Sequence, residues 1–369
     1  MKASIASLLC ALVIGGSLVA PADRADAIVA PEFVPDYSNP ANWTNEALAA
    51  QTIFVCASAP NLRNKASDVR KGLGGIALVG NGASPKLKSQ IKYLKSKALN
   101  GIIPVIASDE EGGDVQRLRR AIYNLPSAAT MGTWSDAKIR KTAFSYGKRM
   151  KALGVDIAFS PVADLSVPGY FINRARRSFG ANPEVVSKKV TAWADGLKDA
   201  DVLPVVKHWP GHGRAADTHA VPGKVRSLAN LAVADLVPFN YAFEHGVTAV
   251  MVGHLLVPGL TEPNTPTSRS KAALELLRSQ VGPEGLIITD SLSMGGATKG
   301  VKRNIAEAAI RSLEAGVDVA LVCTGPRNLI EKVTEAVNSG RLTRPSMIAK
   351  VKRILAYKKQ LGVIANPLN

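Results

Sequence analysis

Cysteine is nearly missing from this 369-residue sequence, which has only Cys10, Cys56 and Cys323. So few exclude a disulfide scaffold and a cysteine-rich metal module. Aromatic residues are sparse too, at 5%. They are not interleaved with basic residues as a base-stacking surface requires, so no nucleic-acid partner is expected. Acidic residues fall short of basic ones, 29 against 46, leaving a formal charge of +17. Beyond the N-terminal segment no run is long and apolar enough to span a bilayer. No glycine-rich dinucleotide fingerprint follows the first strand-like run. What is present, 46% apolar residues with 31 Gly and 22 Pro scattered along the chain, is the composition of a globular protein.

The N-terminal segment reads as a secretory signal. Lys2 supplies a positive start, Ile5 to Ala20 an apolar run, and Ala25-Asp26-Ala27 a small-x-small cleavage site, with Ala20-Pro21-Ala22 as a rival. Cys10 follows Leu9 rather than a small residue, which argues against lipoprotein processing. The expectation is a signal over 1–27 and an exported body over 28–369, without stable membrane insertion. Removing 1–27 takes away Lys2 and Arg24 together with Asp23 and Asp26, so the net charge is unchanged and the basicity belongs to the body. Much of it, such as Lys86, Lys88, Lys92, Lys95 and Lys97, reads as exposed helix. An anionic cell-wall polymer is the expected partner of such an exported surface, against the plainer alternative of a solvated basic face. Cys56 and Cys323 sit in apolar runs near the two ends of the body. Two buried thiols are expected, although a closed sheet would bring them close enough for one bridge.

Eight short runs rich in Val and Ile recur: 52–57, 75–79, 102–107, 156–160, 203–207, 249–252, 286–289 and 317–322. They are continuously apolar, as parallel strands covered on both faces are. Amphipathic stretches separate them: 84–98, 135–153, 183–199, 228–245, 270–280 and 302–315, with 326–338 and 345–361 after the last run. Asn182-Pro183 opens the third stretch as a cap followed by a first-turn proline. Eight alternations without a linker predict an α/β fold, a single (β/α)8 TIM-type barrel.

Such a barrel presents its functional residues just after the strands. Asp109-Glu110-Glu111-Gly112-Gly113, Pro161 with Asp164, Lys207-His208, His254 and Asp290 all stand there. Three of the five histidines lie in KHWPGHGRAADTHAVPG: His208, His212 and His219. One reading of that spacing, with Asp217, is a zinc site. Lys207 and Arg214 in the same loop, and the break at Pro210-Gly211, count against it, and no metal or cofactor is expected. The other reading is acid/base work, with Asp217 orienting His219 across a two-residue step. His245 and His212 read as ordinary loop residues. Asp290 ends an apolar run and faces the expected barrel mouth, where a carboxylate can serve as nucleophile or base, or merely cap the loop.

DEEGGDVQRL (109–118), RSFG (177–180), KHWPGHG followed by Asp217-Thr218-His219, AVMVGHLLVP (249–258) and TDSLSM (289–294) occur in this order. The set resembles glycoside hydrolase family 3, specifically its single-barrel bacterial β-N-acetylglucosaminidases, over about residues 45–360. The resemblance implies a retaining double displacement on GlcNAc-containing oligosaccharides or muropeptides. Asp290 would be the nucleophile, His219 the acid/base and Asp217 its support. Asp109, Arg117, Arg177, Lys207 and His208 would hold the sugar.

Three departures are visible. The loop from Gly213 to Asp217 is one residue short, Ser291 stands where many relatives carry a second Asp, and Asp114 stands where Arg is common. The expected protein is a secreted, monomeric exo-hydrolase. The alternatives are a β-GlcNAc phosphorylase and a non-catalytic envelope-binding barrel.

Overall fold

Runs that are apolar on both faces must be covered on both faces, and here they form parallel strands ringed by helices. The computed structural model describes residues 39–98 and 101–364, so the secretory segment expected over 1–27 lies outside the described residues. The strands in chain order are Ile53–Ser58, Gly75–Val79, Val105–Ser108, Ile157–Ala158, Leu203–Pro204 continued by Val206–Trp209, Ala249–Val252, Leu286–Thr289 and Ala320–Val322. The first pairs in parallel with both the second and the eighth, with Ile53 opposite Ala320 and Phe54 opposite Gly75. The fifth runs from its pairing with the fourth into pairing with the sixth. A bridge between Ile288 and Val319 joins the seventh to the eighth. The eight staves therefore close, as the alternation predicts.

Alternate residues on the staves meet in one buried cluster, among them Phe54, Ala77, Val105, Ile157, Val205, Met251, Ile288 and Leu321. Each large side chain buried there contributes about 1.5–3 kcal/mol. The last helix, Arg344–Gln360, adds Ile354 and Tyr357 to the cluster. Tyr357 donates its hydroxyl to the Thr248 carbonyl at 2.8 Å, and Lys358 reaches Gln51 Oε1 and the Ile103 carbonyl at 2.8 Å each. These partners precede the sixth, first and third strands, so the helix covers the amino-terminal end of the barrel. The opposite end is left for the loops.

The outer helices start where their caps allow. Ser135 accepts from the Lys138 N–H at 3.3 Å ahead of Asp136–Leu153, and Asn182 accepts from the Val185 N–H at 3.0 Å ahead of Pro183–Lys198. These two helices pack closely because Gly196 has no side chain: a Cβ there would stand 2.3 Å from the Arg140 carbonyl oxygen.

Several expectations need correction. The stretch 228–245 is two helices, Leu228–Ala232 and Val237–Glu244, because Pro238 can enter a first turn but not a helix interior. The third strand begins at Val105, three residues late, since Pro104 lacks the N–H a ladder needs. The fourth strand is confined to two residues and the eighth begins at Ala320. Cys56 and Cys323 are bonded to each other, not free thiols. Closure places the first and eighth strands side by side and brings the two Cα atoms to 4.3 Å. Lys86, Lys88 and Lys92 are exposed as expected, whereas Lys95 and Lys97 are half-buried; Lys97 lies past the helix end, and Lys95 pairs with Asp156 at 2.8 Å.

Candidate active site

The third strand runs into a short hairpin, Glu110–Gly112 with Val115–Gln116. Its turn uses Gly112 and Gly113 at φ +87° and +59°, and a Cβ on Gly112 would meet the Pro126 carbonyl oxygen at 2.1 Å. The hairpin presents Asp109 and Glu111 to one side and Glu110 to the interior. Glu111 is buried and receives a two-pronged contact from Arg177, Nε and a terminal nitrogen each at 2.7 Å. Lys207, on the fifth strand, bridges Glu111 at 2.6 Å and Asp109 at 2.7 Å. Arg117 approaches the other Asp109 oxygen at 3.5 Å. Burial pushes the Glu111 carboxyl up, but Arg177 and Lys207 more than offset it and hold the group far below the usual range.

After the fourth strand the fully buried Asp164 organises the histidine segment. It accepts from the backbone N–H groups of His208 and His212 at 3.2 and 2.6 Å and from His208 Nδ1 at 2.7 Å. The His208 ring is thereby fixed, with its Nε2 at 3.3 Å from Arg177.

Asp290 follows the seventh strand. Its Oδ1 accepts from the Ser291 N–H at 2.7 Å. Burial would raise its pKa, but the facing imidazoles of His208 and His254, the Ser291 N–H and Lys207 bring it down to about 2. The group is an ionised carboxylate throughout the neutral range. His254, buried at the end of the sixth strand, steadies this loop. Nε2 donates to the Ser291 carbonyl at 3.0 Å while Nδ1 accepts from the Ser268 hydroxyl at 2.8 Å. Burial lowers the His254 pKa, in keeping with that neutral tautomer.

The Asp217–His219 pair stands on the loop after the fifth strand. Asp217 Oδ1 accepts from both the backbone N–H of His219, at 3.0 Å, and its Nδ1, at 2.5 Å. One carboxylate thus sets both the loop's turn and the ring's orientation, and leaves Nε2 for chemistry. Burial tends to raise Asp217, and its hydrogen bonds from His219 outweigh that and lower it. The His219 side chain is 70% exposed and stands open to water. The loop is tied to the segment behind Asp290: Gly295 N–H donates to the His219 carbonyl at 2.7 Å and Gly296 N–H to that of Thr218 at 3.1 Å. A Cβ on Gly295 would fall 2.1 Å from the Ala220 carbonyl oxygen, so the close approach requires glycine.

All eight predicted residues, Asp109, Arg117, Arg177, Lys207, His208, Asp217, His219 and Asp290, line one cavity of about 230 Å3 at the carboxyl-terminal end of the barrel. A hollow of about 330 Å3 shares Asp109, Arg117, His219 and Asp290 with it and runs inward to the Cys56–Cys323 bond. Among the described residues no group of three or more His, Cys, Asp or Glu side chains converges as a metal site would require. His208 and His219 instead turn to separate carboxylates.

Residues 53–357 match the family model described as the glycosyl hydrolase family 3 N-terminal domain. The chain belongs to glycosyl hydrolase family 3. It is accordingly a glycoside hydrolase with a TIM-type barrel. A β-hexosaminidase named LpqI from Mycobacterium tuberculosis is 38% identical over 269 residues, covering 70% of this chain and 69% of that protein. A β-hexosaminidase from Nitrosomonas eutropha is 32% identical over 290 residues, covering 73% and 81%. Among solved structures, a family 3 β-N-acetylglucosaminidase from a Paenibacillus species superposes with a TM-score of 0.80 at 29% identity, covering 87% of this chain and 63% of that one. The M. tuberculosis LpqI structure gives 0.78 at 32%, covering 86% and 95%.

Within this family 3 barrel the structure adds residues that sequence reasoning left aside. His212, read as an ordinary loop residue, lines the cavity with Nε2 at 3.2 Å from Thr218 Oγ1. Its position depends on Asp164 gathering the loop, which local sequence does not reveal. Glu111, Asp164 and His254 were visible as rim residues or motif members, but their partners are 66, 44 and 37 residues away along the chain. His245 is the ordinary residue expected, exposed, hydrogen-bonded to the Tyr241 carbonyl at 2.7 Å and stacked on that ring.

Proposed function

We propose that the protein is a secreted, retaining exo-β-N-acetylglucosaminidase that removes terminal GlcNAc from cell-wall fragments or chitooligosaccharides. Similarity to β-hexosaminidases supports the substrate class. The observation that carries the mechanism is the placement of a carboxylate ionised at neutral pH, Asp290, and an imidazole supported by a carboxylate, His219 with Asp217, around one cavity.

In the first step Asp290 attacks the anomeric carbon as the glycosidic C–O bond breaks, and protonated His219 gives its proton to the departing oxygen. In the second, neutral His219 takes a proton from water as that water attacks the same carbon and releases Asp290. Both displacements invert, so the β configuration is retained. Asp217 stabilises the imidazolium that donates in the first step and is regenerated in the second. Asp109, Arg117, Lys207, Arg177 and His208 supply the fixed donors and acceptors a pyranose needs, and their mutual ion pairs set them before the sugar arrives.

Release of phenol from an aryl β-GlcNAc tests the reading. Wild type should turn over with retained configuration by NMR and Asp290→Ala should not. Undiminished release by that variant, or none by wild type, refutes it. Product analysis in phosphate buffer should give free GlcNAc, and a sugar phosphate would transfer the reading to phosphorolysis. The export signal and the excess of positive charge support action at an anionic cell envelope.

A further inference from the structure

The amino-terminal end of a barrel ordinarily contributes stability rather than function, yet this one holds a lysine that is buried without a partner. Lys350, on the last helix, is only 3% exposed. Among the described residues its side chain makes no hydrogen bond or ion pair. A lysine is almost never buried so deeply unless paired, because an uncompensated charge loses its hydration. It lines an open groove of about 700 Å3 between helix Lys271–Val281 and the last helix, together with Arg278, Arg353, Ser279 and Ser346.

The one nearby carboxylate with capacity to answer Lys350 is already engaged. Asp318, fully buried, accepts from Arg278 at 2.7 Å, from Arg353 Nε at 2.9 Å and from the Ile287 N–H at 2.9 Å. The two other carboxylates lining the groove have their own cations: Glu275 has Lys271 at 3.7 Å and Glu314 has Arg341 at 2.7 Å. Three cations, Lys350, Arg278 and Arg353, therefore face one carboxylate, and two positive charges go uncompensated. Burial lowers the Lys350 pKa only to about 8, so the ammonium persists at neutral pH.

We propose that this groove is a second, non-catalytic site that binds a phosphate group through Lys350, with Arg353 beside it. A phosphate oxyanion matches both the doubled positive charge and the ammonium–guanidinium donor set. The groove is open and larger than one ion, so it accommodates either free phosphate or a phosphodiester within an anionic polymer. Its position at the opposite end of the barrel from Asp290 leaves the active site clear, and the inference does not depend on the substrate proposed above.

Calorimetric titration of the intact chain at pH 7 and matched chloride, with inorganic phosphate in one arm and a glycerol-phosphate oligomer in the other, tests it. Saturable binding is expected in at least one arm, and the arm that saturates identifies the source. Lys350→Met should weaken that binding by about tenfold or more. It should also melt no lower than wild type without ligand, since it removes an unpaired buried charge. Circular dichroism checks that the variant is folded. Absence of saturation in both arms, or unchanged affinity in a folded Lys350→Met, overturns the proposal.

Discussion

Gly295→Ala separates the position of the proposed acid/base loop from its chemistry. Gly295 contributes no side chain to catalysis, but its N–H and that of Gly296 hold the loop carrying Asp217 and His219 at 2.7 and 3.1 Å. A methyl group at 295 would lie 2.1 Å from the Ala220 carbonyl oxygen and 2.9 Å from that of His219, both backbone atoms that cannot rotate aside. Restoring ordinary contact requires the loop to retreat by about 1 Å. The lost hydrogen bonds are worth about 1–3 kcal/mol together. A displacement of that size at a reacting group costs on the order of 100-fold in rate. We therefore expect kcat on an aryl β-GlcNAc to fall about 100-fold, with the thermal midpoint lower by about 2–4 °C per kcal/mol lost. The loss should be smaller for a dinitrophenyl leaving group, which needs little protonation, and azide should partly restore turnover because it attacks without a base. Activity within about twofold of wild type, or an equal loss for good and poor leaving groups, would refute the assignment of His219 as a loop-positioned acid/base.

Other consequences concern the charges and the crosslink. Glu111→Gln leaves Arg177 and Lys207 without their shared buried carboxylate, so denaturant unfolding should show a loss of about 3–5 kcal/mol and sugar binding should weaken. Glu110, buried against Ser108 and Tyr146, has its pKa raised by burial to about 7 from 4.5. The folded state therefore holds its proton more tightly than the unfolded chain, and this group's contribution to stability declines as pH rises from about 4.5 to about 7. The span corresponds to about 3 kcal/mol, and Glu110→Gln should flatten the pH profile of the melting midpoint in that window. Asp290 acts in the opposite sense. Its depressed pKa gives stability that is present above about 4 and lost as pH falls through about 2, and Asp290→Asn should reduce that acid slope. The Cys56–Cys323 bond closes a separation of 267 residues, so the Cys56→Ala/Cys323→Ala pair should lower stability by about 2–5 kcal/mol in a reversible denaturant titration. An unchanged midpoint would show that strand pairing alone fixes this seam.

Periodicity alone determined the barrel. The runs at 75–79, 249–252 and 286–289 coincide with strands because residues covered on both faces leave an unbroken apolar record in the chain. Order alone placed Asp109, Lys207, His208 and Asp290 at one rim, since in a parallel barrel every strand end points to the same face. The Asp217–His219 pair was equally legible, because its bond spans only two residues. Tertiary structure decided the remainder. That Glu111 answers Arg177 and Lys207, that Asp164 orients His208 and draws His212 into the cleft, and that His254 steadies the Asp290 loop are pairings across separations no local pattern encodes. The disulfide belongs to the same class: two cysteines at opposite ends of the body become neighbours only because the eighth strand returns to the first. Lys350 belongs to this class as well, since only the packing of the last helix buries it beside Arg278 and Arg353.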